Sequence, residues 1–200
     1  MKSRLLIALL LLVMAAGAAA GESHPDGAAV STGVAALLQG RFDNREQAAQ
    51  ASTGAEPAIP KVTVTIEPTP QKDWALWRVR VETDADSTYE QTWAMQTRVE
   101  HDGSRSLVPY YQYKQATAPA AAEFKADEWL SLEACALRGT FTGTRIEAMS
   151  EGEPCVAVTM SVGARRALMP VGIVREGDWL HVDLNLRGAR TRIEAKRAAA

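Results

Sequence analysis

From Lys61 onward the chain alternates apolar and polar positions with the period of a half-buried strand. Val62, Val64 and Ile66 alternate with Thr63 and Thr65. Trp77, Val79 and Val81 alternate with Arg78, Arg80 and Glu82. Tyr89, Gln91, Trp93, Met95 and Val99 oppose Glu90, Thr92, Gln96 and Arg98. The Asp102-Gly103 step predicts a hairpin turn into a strand over Ser106 to Lys114. Further strands are predicted at Thr140 to Ala148, Pro154 to Gly163, Ala167 to Arg175, Asp178 to Arg187 and Arg190 to Arg197. Gly152, Gly163, Glu176-Gly177 and Gly188 punctuate them.

Three stretches break this rhythm. Ser31 opens a run containing Val34, Ala35, Leu37 and Leu38, with Gly40 behind it, the punctuation of a short helix. Phe42 to Gln50 has the Ala and Gln content for more helix, and Ser52 to Pro60 reads as a linker. Ala116 to Leu137, rich in Ala and carrying Asp127, Trp129, Leu130 and Leu132, is predicted helical.

Strands joined by short turns pair antiparallel, because parallel pairing needs long crossovers. The expected fold is mainly β: an antiparallel, calyx-like β-barrel over residues 61–200 with one or two short helices packed on it. A two-sheet sandwich is the competing architecture. A barrel of about eight strands leaves room for side chains or one small ligand.

The N-terminus changes the context. Lys2 and Arg4 precede an apolar run from Leu5 to Met14, then small residues to Ala20, which predicts a signal peptide over residues 1–20. Residues 21–60 then hold a leader, the N-terminal helix and the linker. The expected location is periplasmic or secreted, with no membrane span after cleavage. In an oxidising space Cys135 and Cys155 are expected to form a disulfide, their Cα atoms within about 7 Å. A reactive or metal-bound thiol is the alternative, but there is no CxxC, and His24, His101 and His181 are scattered. The chain has 22 Lys+Arg against 24 Asp+Glu. That balance weighs against a general nucleic-acid binder, whose footprint is a basic excess on one face. At 46% hydrophobic and 23% charged, the composition also excludes a disordered or fibrous chain.

Candidate chemistry sits on three strands. Tyr89, Gln91, Trp93 and Met95 share one face, so Gln91 is either a ligand-facing amide in an aromatic pocket or a core amide bonded to backbone. Tyr111 and Tyr113 share a face opposite Tyr110, as a binding surface or as cross-strand packing. Trp179, His181, Asp183 and Asn185 oppose the aliphatic row Leu180, Val182, Leu184 and Leu186. His181 and Asp183 have the types of an acid–base pair or of metal ligands, but alternation reads their face as solvated. No GxSxG, HExxH, P-loop or dinucleotide fingerprint occurs.

Several segments in order resemble the CpcT/CpeT-type phycobiliprotein chromophore lyases. Leu37, Gly40, Phe42, Asn44 and Gln47 fit that family's opening "L..G.F.N..Q", and Tyr89-Glu90-Gln91 is similar to its "Y.EQ", one residue shorter. Pro109-Tyr110 fit the start of "PYRQR", and Cys135, Gly139 to Thr144 and Cys155 are similar to "C…F.G.T…C", with Thr144 directly after Gly143. The resemblance implies a calyx that holds a bilin or related tetrapyrrole and assists its thioether attachment to an acceptor protein. It places Tyr89, Glu90 and Gln91 in the pocket strand; Trp93, Tyr111 and Tyr113 complete the expected ligand wall. The chain departs where the family has arginines, carrying Tyr111 and Tyr113 instead, and it lacks the family's aromatic, glycine-rich ending. Two function classes follow: a barrel binding an apolar small molecule, or an envelope protein with a side-chain-filled core that acts by protein contact or as structure.

Overall fold

The computed structural model describes residues 34, 37–52, 58–84, 87–112, 119–161, 168–186 and 188–199. The expected signal peptide, most of the leader and Tyr113 lie outside them. The strands are β1 (Gly40–Asp43), β2 (Lys61–Pro68), β3 (Trp74–Asp84), β4 (Ser87–Val99), β5 (Arg105–Tyr111), β6 (Leu130–Ser131), β7 (Leu137–Phe141), β8 (Arg145–Met149), β9 (Pro170–Glu176), β10 (Trp179–Leu186) and β11 (Ala189–Arg197). They form one sheet in the order β4-β3-β2-β1-β11-β10-β9-β8-β7-β5-β6, and β4 pairs again with β5. Ten strands therefore close into an antiparallel barrel, with β6 a short addition beside β5. The expected barrel is the observed fold.

Closure follows from the alternation. Val62, Val64 and Ile66 of β2, Trp77, Val79 and Val81 of β3, Trp93 and Met95 of β4, and Leu180, Val182 and Leu184 of β10 point inward into one buried cluster. Each such side chain contributes roughly 1.5–3 kcal/mol by leaving water.

One end of the barrel carries the turns β2–β3, β4–β5, β7–β8 and β9–β10. It is plugged by the segment ahead of β1, where Val34 and Leu38 are buried. The inward, buried Arg175 fixes that plug, donating from Nε to the Leu37 carbonyl at 2.8 Å and lying over the Phe42 ring at 5.1 Å. At this end Trp77 lines a hollow of about 20 Å³. Its indole N–H has no partner among the described residues, and the hollow has room for one water.

The other end carries helices α1 (Arg45–Ala51) and α2 (Gly152–Ser161). Asn44 latches α1 to the barrel: its buried amide donates to the Pro60 carbonyl at 3.0 Å and accepts from the Val62 N–H at 2.7 Å. Gln47 continues the seam, donating to the Arg192 carbonyl at 3.1 Å and accepting from the Glu194 N–H at 3.0 Å.

A second apolar layer lies outside the barrel. Leu76, Ala94, Val108 and Tyr110 face outward from β3–β5 and are covered by Phe124, Trp129 and Ala136. The covering strap is the stretch expected to be helix. Among its described residues it forms three 3₁₀ turns, Ala121–Glu123, Ala126–Glu128 and Glu133–Cys135, plus β6. Phe124 and Trp129 must both reach the outer layer while Leu132 and Cys135 enter the barrel core. No single helical face makes those contacts, so the chain runs irregularly across the sheet.

Other boundaries also differ from expectation. Phe42 and Asp43 lie in β1 and not in helix, so barrel pairing begins ahead of Lys61. Thr140 to Ala148 is no single strand: β7 and β8 form a hairpin, with the Thr142 hydroxyl accepting from the Arg145 N–H at 2.9 Å in the turn. Pro154 to Ser161 is helix, not strand. Proline in the first turn of α2 costs no internal hydrogen bond there, and the apolar run Cys155 to Val158 has no alternation. Cys135 and Cys155 form the expected disulfide, Cα atoms 4.5 Å apart. It joins a 3₁₀ turn to α2, however, and not a helix to a strand.

Candidate functional site

The expected ligand wall lies at the α2 end of the barrel. Tyr89 pairs with Val81, Gln91 with Val79 and Trp93 with Trp77, so these three share the inward face of β4. Burial grades along the row: Tyr89 is 49% exposed, Gln91 is half-buried and Trp93 is fully buried. Trp93 donates from its indole nitrogen to the Leu168 carbonyl at 3.0 Å. Tyr111, half-buried, lies on Trp93 with ring centroids 5.8 Å apart. Gln91 donates to the neighbouring Thr92 carbonyl at 3.3 Å, which leaves amide capacity facing the mouth.

Glu90 is not part of this wall. It faces outward and is exposed, opposite Arg80. Tyr110 lies in the outer layer, 4.5 Å from Trp74 between ring centroids. The structure thus brings together Gln91, Trp93 and Tyr111, with Tyr89 at the rim.

Below that rim the interior is occupied. Trp77, Trp93, Phe42, Ile66, Met95, Leu107 and Leu137 are all fully buried. A groove of about 560 Å³ lies beside the mouth, between α1 and the ends of β2–β4, where Arg45, Lys61 and Glu82 give it charge.

On β10 the outward face behaves differently from expectation at one position. Asp183 is buried on that face beneath the side chains of two arginines. Arg190 donates from Nε to Oδ2 at 3.1 Å, and Arg192 from Nε to Oδ1 at 2.9 Å. Burial alone pushes the Asp183 pKa up, but hydrogen bonds from Arg192 and Arg190, with their charges, outweigh it and hold the carboxyl below its ordinary value. Gly172 makes the space: a Cβ there would stand 2.8 Å from Asp183 Oδ2. His181 takes no part; it stacks on Trp179, centroids 6.2 Å apart. Sequence alternation missed this cluster, because it assigns faces and not the long arginines that fold back over one of them.

Among the described residues no group of His, Cys, Asp and Glu is placed to hold a metal. No helix there is long and apolar enough to cross a membrane. With both sulfurs joined, neither cysteine is a nucleophile. What fold and mouth define is a closed antiparallel β-barrel with a graded aromatic and amide wall at one end. No protein-family model and no curated protein matches the chain.

Proposed function

We propose that this protein is an exported binding barrel akin to the CpcT/CpeT-type chromophore lyases, taking an elongated apolar molecule of tetrapyrrole character at its α2 end. The observation that carries the proposal is the inward row on β4: an exposed tyrosine, an under-used amide and a buried tryptophan capped by Tyr111. Flat apolar ligands are held by aromatic faces, and their orientation by a few polar groups such as this amide. The filled interior seats the ligand at the mouth and not in the barrel's depth. Attachment chemistry is not part of the proposal, because the family's arginines are replaced here by Tyr111 and Tyr113. The N-terminal motif residues do not carry it either. Gly40, Phe42, Asn44 and Gln47 all have structural work holding β1 and α1 to the barrel.

The test is a titration of the mature chain with biliverdin, read by quenching of tryptophan fluorescence and by induced circular dichroism of the pigment. Saturable binding is expected, weakened by Tyr111→Ala and Gln91→Leu and unchanged by Glu90→Gln. No saturable signal, or equal weakening by Glu90→Gln, overturns the proposal.

A further inference from the structure

A second hollow, of about 220 Å³, lies at the same end under α2 and is separate from the wall on β4. Val156, Met169 and Val171 give it apolar lining, while Ser150, Asn185 and Arg190 give it a polar side. We propose that it is a binding site for a small aliphatic carboxylate, with Arg190 as the anchor for the acid group. This goes beyond the function proposed above and does not depend on it.

Three observations converge. The first is charge. Asp183 is a single carboxylate shared by two guanidinium groups; Glu147 and Glu194 also act on Arg192, whereas the ion-pair partner of Arg190 among the described residues is that shared carboxylate. Of the two arginines, Arg190 lines the hollow. The second is aim. Arg190 uses Nε and Nη2 on Asp183 Oδ2, and its Nη1 makes no hydrogen bond to another described residue. The guanidinium is therefore fixed by one carboxylate while part of its donor fork stays open for a second. Gly172 is part of the cradle, since a Cβ there would lie 3.1 Å from Arg190 Nη2. The third is size and polarity. At about 220 Å³ the hollow has room for several waters or for a small organic molecule of about eight non-hydrogen atoms. Hexanoate is such a molecule. Its chain suits the three apolar side chains, and the Asn185 amide, with no hydrogen bond to another described residue, stands on the polar side with Arg190.

The experiment is an NMR titration of the mature, disulfide-bonded protein with sodium hexanoate, alongside hexanol and hexylamine. Expected are saturating amide shifts at Val156, Met169 and Val171 for hexanoate, with hexanol weaker and hexylamine inactive. Arg190→Gln is expected to weaken hexanoate about tenfold, the loss of one charge-assisted hydrogen bond. Arg192→Gln leaves the lining of the hollow intact but gives Asp183 to Arg190 alone, so it is expected to weaken hexanoate by less than Arg190→Gln does, about threefold. Val156→Trp, which fills the hollow, is expected to abolish binding in a folded protein. Equal loss in Arg190→Gln and Arg192→Gln overturns the proposal, as do equal binding of hexanol, shifts confined to other parts of the barrel, or no saturable shift. Hexanoate binding without biliverdin binding leaves this site standing and removes the function proposed above.

Discussion

Removing the Cys135–Cys155 bond is expected to destabilise the fold by about 3 kcal/mol. The bond closes a loop of 20 residues running through the β7–β8 hairpin. In the chain-entropy account such a loop restricts the denatured chain by about 11 cal/mol/K, or about 3.3 kcal/mol at room temperature. Both cysteines are buried in the barrel core, so Cys135→Ala/Cys155→Ala also loses some packing. Reduction of the parent protein separates the two effects, since it opens the loop and keeps the sulfurs. Urea unfolding followed by tryptophan fluorescence measures each form. The reduced parent should lose about 3 kcal/mol and the double variant somewhat more, with the melting temperature falling by roughly 7–13 °C at this chain length. A loss below about 1 kcal/mol in the reduced parent would refute the reasoning. It would mean that the strap and α2 stay together in the denatured chain without the bond.

Three further outcomes follow from local geometry. Gly139→Ala is expected to cost about 2 kcal/mol or more, because Gly139 has φ of +156° and a Cβ would meet the Glu147 carbonyl oxygen at 2.1 Å; urea unfolding tests it. Asn44→Ala should cost about 1–3 kcal/mol by stripping a buried N–H and carbonyl of their partner, again read by urea unfolding. Asp183→Asn should cost a similar amount, about 1–3 kcal/mol, at neutral pH. Because the folded pKa of Asp183 is held down, its contribution is full above the ordinary aspartate value of about 3.9 and is lost as pH falls through the folded value. The stability gap between parent and variant should therefore narrow only in acid, and a gap that narrows as pH rises contradicts the ion-pair account.

The barrel was legible because alternation survives in almost every strand. Val62 to Ile66 and Leu180 to Leu186 name their inner faces outright. The strap was not legible, since Phe124 and Trp129 answer to an outer apolar layer that exists only once β3–β5 are paired. The β-branched residues of α2 read as strand because propensity is local, while the disulfide and the barrel end that hold this helix are not. At the candidate site, the shared face of Tyr89, Gln91 and Trp93 followed from parity alone. The same parity turns Glu90 outward, and only its place within the Tyr89-Glu90-Gln91 motif points to the pocket. The Asp183 cluster left a weaker trace: a carboxylate on β10 cross-strand from Arg192 of β11, legible only once the register was known.

Native mass spectrometry of the protein isolated from its own cells tests the central claim most directly. The account predicts a chain that begins at Gly21, is lighter by two hydrogens for the disulfide, and carries a non-covalent adduct with the absorption of a linear tetrapyrrole or a similar extended apolar molecule. A bare chain that also takes up no added biliverdin in the same buffer would contradict it.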